Sequence, residues 1–215
     1  MEINKKIDHT LLKPQTSAEE VKQLCRQARD HNLFAVCIPP FFVALARQEL
    51  LGTDVKVATV IGFPLGYAAT MAKVSEITRA IEEGADELDV VISLGALRSG
   101  DWNHVSADID RMVTAVRLRG KVIKVIIETS ILKPAELNQL CDICNRVKPD
   151  FVKTSTGTLG GATVEIIKEL RQRLLPEIKI KASGGIRNAQ TAHLMLSAGA
   201  DRIGTSSGVA IVQGG

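Results

Sequence analysis

A chain of 215 residues with 45% hydrophobic and 24% charged residues has the make-up of one large globular domain and none of the composition of a disordered polymer. A net charge of +3, an aromatic content of 3% and scattered lysines and arginines argue against a nucleic-acid surface built on stacking rings, but they suit a small anionic substrate. No apolar run approaches the ~18 residues of a membrane span, and Met1 to Lys6 leads into no signal-peptide core, so the chain is expected to be cytoplasmic and to have no membrane partner.

In chain order, short β-rich runs alternate with amphipathic stretches. Ile7 to Thr10 opens the series, followed by a helical pattern over Ser17 to Asn32 with Glu19 and Glu20 in its first turn. Ala35 to Ile38 and Val55 to Phe63 come next, then a helical pattern over Ala68 to Glu83 closed by Gly84. Glu87 to Ser93, Lys121 to Glu128, Phe151 to Ser155 and Ile178 to Ala182 follow. A helix over Asn188 to Ala198 closed by Gly199 leads to Arg202 to Thr205. Most of these runs are almost continuously apolar, as parallel strands buried on both faces require. Landmarks near the strand ends, at positions 8, 37, 60, 89, 124, 153, 181 and 204, lie 23 to 35 residues apart, the spacing of repeated βα units. Eight units with no linker favour a single (β/α)8 TIM barrel over residues 1–215; an open doubly wound sheet is the alternative, and no glycine-rich dinucleotide loop supports it. The last helix has to be short.

Of the four cysteines, Cys25, Cys37, Cys141 and Cys144, the last two form a lone C-x-x-C without a second Cys or His pair at ligand spacing, so no metal centre is expected. Leu137, Leu140, Cys141, Cys144 and Val147 share one helical stripe, which favours buried packing over redox chemistry.

The strands also carry charges that apolar strands should lack. Lys153 lies in Phe151-Val152-Lys153-Thr154-Ser155-Thr156-Gly157, where an ammonium either finds a partner or loses its proton. A lysine there is expected to have a depressed pKa and a nucleophilic amine suited to Schiff-base chemistry; a lysine snorkelling to solvent is the bland alternative. Asp8 and Thr10 share a parity on the first strand, Asp89 stands on the fourth, Lys124 on the fifth and Lys181 on the seventh. In a closed barrel these converge into a mixed-charge cluster, either a structural ion network or a site. Lys181 would lower the Lys153 pKa by like-charge repulsion, Asp89 and Lys124 would hold a water and pass protons, and Asp8 and Thr10 would orient that pair or a substrate hydroxyl. Cys37 ends the second strand near the barrel mouth, lining an aldehyde site or filling the core. Ser183-Gly184-Gly185 and Gly204-Thr205-Ser206-Ser207-Gly208, with Gly157 and the Gly160-Gly161 pair, offer backbone N–H groups and hydroxyls to an anion after the strands where barrels often bind phosphate.

These segments together resemble the deoxyribose-phosphate aldolases. The resemblance runs from Ile7-Asp8-His9-Thr10-Leu11-Leu12-Lys13-Pro14 through Ala35-Val36-Cys37-Ile38, Gly62-Phe63-Pro64-Leu65-Gly66 and Gly84 to Val91. It continues through Lys124-Val125-Ile126-Ile127-Glu128-Thr129, Val152 to Gly157, Lys181 to Arg187 and Gly204 to Gly208. It implies reversible addition of acetaldehyde to D-glyceraldehyde 3-phosphate, giving 2-deoxy-D-ribose 5-phosphate, by a class I mechanism without metal or cofactor. It casts Lys153 as the Schiff-base lysine, Lys181 as the lysine that perturbs it, and Asp89 with a water and Lys124 as proton-transfer machinery. Asp8 and Thr10 fall in the substrate-side network, and Gly184, Gly185, Gly204, Ser206 and Ser207 match phosphate-binding loops. The stretch after Gly157 is about one residue shorter than the family commonly has and lacks a lysine that some members place beside the phosphate. The sequence also shows no C-terminal tail ending in tyrosine, which some members use in proton transfer, so the enzyme is expected to do without it or to be slower. Another class I aldolase or transaldolase with a different donor is the nearer alternative. A non-catalytic sugar-phosphate-binding barrel, which would be expected to lose Lys153 or Lys181, is the other. A homo-oligomer, dimer or tetramer, is compatible with the sequence.

Overall fold

The computed structural model describes residues 2–215. Eight parallel strands, β1 (Ile7–Thr10), β2 (Ala35–Ile38), β3 (Lys56–Ile61), β4 (Glu87–Val91), β5 (Val122–Ile126), β6 (Phe151–Lys153), β7 (Lys179–Ser183) and β8 (Arg202–Thr205), close in sequence order into a barrel. This is the (β/α)8 architecture expected from the alternation. The helices around it are α1 (Ala18–Asp30), α2 (Val43–Glu49), α3 (Thr70–Glu82), α4 (Leu94–Arg98), α5 (Trp102–Arg117), α6 (Pro134–Val147), α7 (Val164–Arg173), α8 (Ala189–Ser197) and α9 (Gly208–Val212). The predicted runs overshoot the strands mainly at their carboxyl ends, because Ile92, Ile127 to Glu128 and Thr154 to Ser155 run on past the strand ends toward the rim while staying buried.

Local chemistry sets the helix starts. The Ser17 hydroxyl accepts from the Glu20 N–H at 3.3 Å while the Glu20 carboxylate accepts from the Ser17 N–H at 2.8 Å, a capping box that starts α1 one residue after the predicted boundary. Asn188 caps α8 in a similar way through the Thr191 N–H. Outward-facing strand residues such as Val36, Val57, Val90, Val125, Val152 and Ile180 pack on the helices in one continuous core. Cys141 and Cys144 lie buried in it on α6, their thiols pushed up by burial, Cys141 to about 11, as packing residues rather than a redox pair. The same layer encloses an ion pair, Lys73 of α3 with Asp108 of α5 at 2.8 Å. Lys73 also donates to the Val91 carbonyl at 2.9 Å, and Asp108 accepts from the Thr70 hydroxyl at 2.8 Å, so the pair is well hydrogen-bonded and ties both helices to β4.

Inside the barrel the alternation puts a second set of residues face to face. Along the ladder Asp89 lies beside Lys124, Lys153 beside Lys181, and Lys181 beside Arg202. On the β2–β3 side Cys37, Ala58 and Val60, with Leu12 and Phe63, form a small separate apolar cluster.

Candidate active site

Asp89 is the hub of the barrel interior. Its Oδ1 accepts from Lys124 Nζ at 2.8 Å, and its Oδ2 accepts from Lys153 Nζ at 2.7 Å and Lys181 Nζ at 2.8 Å. Lys124 also meets Glu87 at 2.6 Å, and Lys181 also pairs with Asp8. Arg202 closes the network, donating to Asp8 Oδ1 at 2.8 Å and Glu87 Oε2 at 3.3 Å while its guanidinium lies 3.5 Å from the Phe34 ring centroid. All seven charged groups are buried.

Burial by itself would raise the Asp89 pKa, but the Lys124, Lys153 and Lys181 ammonium groups outweigh it and hold the carboxyl well below the usual carboxylate range. Asp8 is likewise lowered against its burial, by Lys181, Arg202 and Lys124. Burial disfavours the Lys181 cation, yet Asp8 and Asp89 push its pKa up; for Lys124, Asp89 and Glu87 do the same. The cluster sets three carboxyl groups, Asp8, Glu87 and Asp89, against four basic groups, Lys124, Lys153, Lys181 and Arg202.

A cavity of about 360 Å³ opens at the carboxyl ends of the strands. Of the seven charged groups, Lys153 alone lines it. Thr10, Gly157, Gly184, Gly185, Gly204 and Ser206 also line it, so the lysine and most of the expected anion loops share one space. Ser207 does not line it; its N–H donates to Thr205 Oγ1 at 2.9 Å at the start of α9. Cys37 contributes no surface to the cavity either. It is fully buried in the apolar β2–β3 cluster, because Leu12 and Phe63 lie over that side of the interior. Asp8 sits below the mouth in the ion network, with Thr10 Oγ1 donating to the Asp8 backbone carbonyl at 2.9 Å. Gly160 and Gly161 present no amides to the cavity; they pack on the β7 loop, where a Cβ on Gly184 would fall 2.7 Å from both the Gly160 carbonyl oxygen and the Gly161 Cα. Gly184 has φ +85°, and this backbone-to-backbone contact tolerates no side chain.

Several residues escaped the sequence reading. Glu87 and Arg202 have the strand parity of Asp89 and Gly204, which is the signal that identifies them as inward-facing. Lys13 and Arg187 line the cavity from loops, where no periodicity exists to mark them. Glu128 is fully buried just past β5 with φ +54°; its Oε2 accepts from the Thr156 N–H at 3.1 Å and the Thr156 hydroxyl at 2.6 Å, fixing the β6 loop beside the cavity. Its left-handed backbone breaks strand alternation, so the pattern of the sequence gives no warning of it.

Comparison with known proteins bears on the family and the fold. The family model described as DeoC/LacD family aldolase matches residues 3–214. A deoxyribose-phosphate aldolase of Thermococcus gammatolerans is 49% identical over 217 residues, covering 100% of this chain and 96% of that protein. One from Lactococcus lactis subsp. lactis is 50% identical over 215 residues, covering 100% and 97%. The solved structure of the deoxyribose phosphate aldolase from Aeropyrum pernix, described as a unique tetrameric structure, superposes with a TM-score of 0.89 at 36% identity, covering 98% of this chain and 89% of that one.

Proposed function

The chain belongs to the DeoC/LacD family of aldolases, and from that premise we propose that it cleaves 2-deoxy-D-ribose 5-phosphate reversibly to D-glyceraldehyde 3-phosphate and acetaldehyde through a Schiff base on Lys153. The observation that carries the assignment of Lys153 is its double position: its amine is tied to Asp89 at 2.7 Å inside the charged cluster, yet it is the cluster's one contribution to the cavity wall.

The reaction follows from that position. Loss of one proton from Lys153 brings four cations and three carboxylates into balance, and the freed amine lone pair attacks C1 of the open-chain sugar. The carbinolamine loses water to give an iminium, which draws electrons from the C2–C3 bond as the C3 hydroxyl gives up its proton. That bond breaks, glyceraldehyde 3-phosphate leaves with C3 to C5, and C1 and C2 stay on Lys153 as an enamine. Protonation at C2 and hydrolysis release acetaldehyde and the amine. Asp89 and Lys124, 2.8 Å apart, serve the proton transfers through a water at the lysine, and Lys181 stays charged throughout as the partner of Asp8 and Asp89. Backbone N–H groups of the Gly184-Gly185 and Gly204 loops and the Ser206 hydroxyl, at the cavity's other wall, hold the phosphate. Thr10 holds a substrate hydroxyl beside Lys153. We place this work in cytoplasmic deoxyribose catabolism. We also propose a homo-oligomer, as in the tetrameric Aeropyrum pernix protein, using apolar side chains such as Phe41 and Tyr67 that stand exposed on the single chain.

Incubation with acetaldehyde and borohydride is expected to add a two-carbon unit at Lys153, and Lys153→Leu to abolish glyceraldehyde 3-phosphate release in a coupled assay, a loss of at least about 10³-fold. Adduct on another lysine, or turnover by the Leu variant, overturns the assignment. Tight binding of the sugar phosphate without cleavage would return the chain to the binding-barrel reading.

A further inference from the structure

The cavity has a cation at its rim that the chemistry above does not use. Lys13 lies on the loop after β1 and lines the cavity together with Gly184, Gly185, Gly204 and Ser206. The loop's course is fixed, because the Lys13 carbonyl accepts from the Thr16 N–H at 3.1 Å and the Thr16 hydroxyl at 2.8 Å. Its side chain is free: among the described residues the Lys13 ammonium makes no ion pair or side-chain hydrogen bond, and the side chain is exposed. The β6 loop across the mouth, from Thr154 to Thr163, contains hydroxyls and glycines but no lysine or arginine. Thr158 of that loop borders the neighbouring apolar groove together with Lys13, so the β1 and β6 loops share that groove. No carboxylate lines the cavity, and its cations are Lys13, Lys153 and Arg187.

We propose that Lys13 is a specificity-determining residue that closes on the substrate's phosphate from the β1 side, opposite Arg187 on the β7 side, and so selects phosphorylated over free deoxyribose. The inference rests on the proposed cleavage of deoxyribose 5-phosphate. A phosphate monoester carries close to two negative charges at pH 7, and backbone N–H groups and hydroxyls solvate that charge without neutralising it. Lys153 is committed to Asp89 and to the imine, so neutralisation falls to the rim. A flexible ammonium on a fixed loop meets the phosphate as it enters and adds a charge-assisted hydrogen bond that the ground state and the transition state share.

The test compares wild type, Lys13→Met and Lys13→Arg on 2-deoxy-D-ribose 5-phosphate and on unphosphorylated 2-deoxy-D-ribose, with inorganic phosphate as inhibitor. Lys13→Met is expected to raise KM for the phosphorylated sugar and the inhibition constant of inorganic phosphate together, each by about five- to tenfold, with kcat within about twofold. It should leave kcat/KM on the free sugar unchanged, and Lys13→Arg should behave as wild type on both. An equal loss on the two sugars means the lysine only shapes the loop and overturns the proposal, as does an unchanged KM on the phosphorylated one. Failure of wild type to cleave either sugar would instead remove the proposed function, and calorimetric binding of inorganic phosphate to wild type and Lys13→Met would still decide for or against Lys13.

Discussion

Lys153 and Lys181 present their amines to the same oxygen, Asp89 Oδ2, at 2.7 and 2.8 Å, yet only Lys181 has a second carboxylate, Asp8, to hold its proton. The two lysines on neighbouring strands therefore differ in their carboxylate partners as well as in access to the cavity. Since Asp8 and Asp89 raise the Lys181 pKa against its burial, that residue is a fixed cation, and Lys153 is the amine held by Asp89 alone. Removing Lys181 leaves three cations, Lys124, Lys153 and Arg202, for three carboxylates, so a protonated Lys153 then balances the charge. Lys181→Leu is expected to move the acid limb of the kcat/KM pH profile to higher pH by about one unit or more, since losing a like charge within contact distance favours the protonated amine. The readout separates two roles, because a purely structural lysine would lower the rate at every pH without displacing the limb. A profile that drops but does not move would take Lys181 out of the activation of Lys153.

The strands specify the interior and the loops specify the ligand, and the two were unequally legible. Alternation within short apolar runs is enough to place Asp8, Asp89, Lys124, Lys153 and Lys181 on inward-facing positions, and the ladder register brings them into contact as expected. The rim follows no period. Glu128 turns on a left-handed residue, and Cys37 is covered by two loop residues, Leu12 and Phe63, whose positions depend on the closed barrel. Gly160 and Gly161 read as amide donors in the sequence, whereas their use is to let the β6 loop lie against the β7 loop, visible only when both loops are built. That contact has a direct consequence. An alanine at Gly184 would have to hold φ +85°, at about 1–2 kcal/mol, with its methyl group 2.7 Å from the Gly160 carbonyl oxygen, so the loops must separate. Gly184→Ala is expected to lower kcat/KM for 2-deoxy-D-ribose 5-phosphate by about tenfold or more, mainly through KM, since each 1.4 kcal/mol lost at the phosphate is a factor of ten. Borohydride trapping of acetaldehyde on Lys153 should persist in the same variant. Loss of trapping in a folded protein would show that the loop contact supports the lysine and not only the phosphate.

At the scale of the whole molecule, the charged cluster takes the place that packed aliphatic layers hold in many barrels, and the apolar core lies outside the strands under the helices. Such an interior is stable only while its charges are matched, which makes folding depend on pH in a direction that can be worked out. Asp8 has a folded pKa below the ordinary aspartate value of 3.8, so its contribution is fully present above about pH 4 and is lost as pH falls through the folded value. Lys181 has a folded pKa above 10.5, so its contribution is fully present below that pH and is lost only as pH rises through the folded value. Between these limits the network is intact. Asp8→Asn leaves Lys181 with Asp89 as its one carboxylate and removes the closest carboxylate of Arg202, a broken buried network that costs about 3 kcal/mol or more. In urea unfolding, the stability difference between wild type and Asp8→Asn is expected to hold constant from about pH 5 to 9 and to narrow below about pH 4, because wild type loses there what the variant never had. A difference that stays constant down to pH 2 would mean that Asp8 acts by packing and hydrogen bonding rather than by charge, and the matched-charge account of this barrel's interior would fall with it.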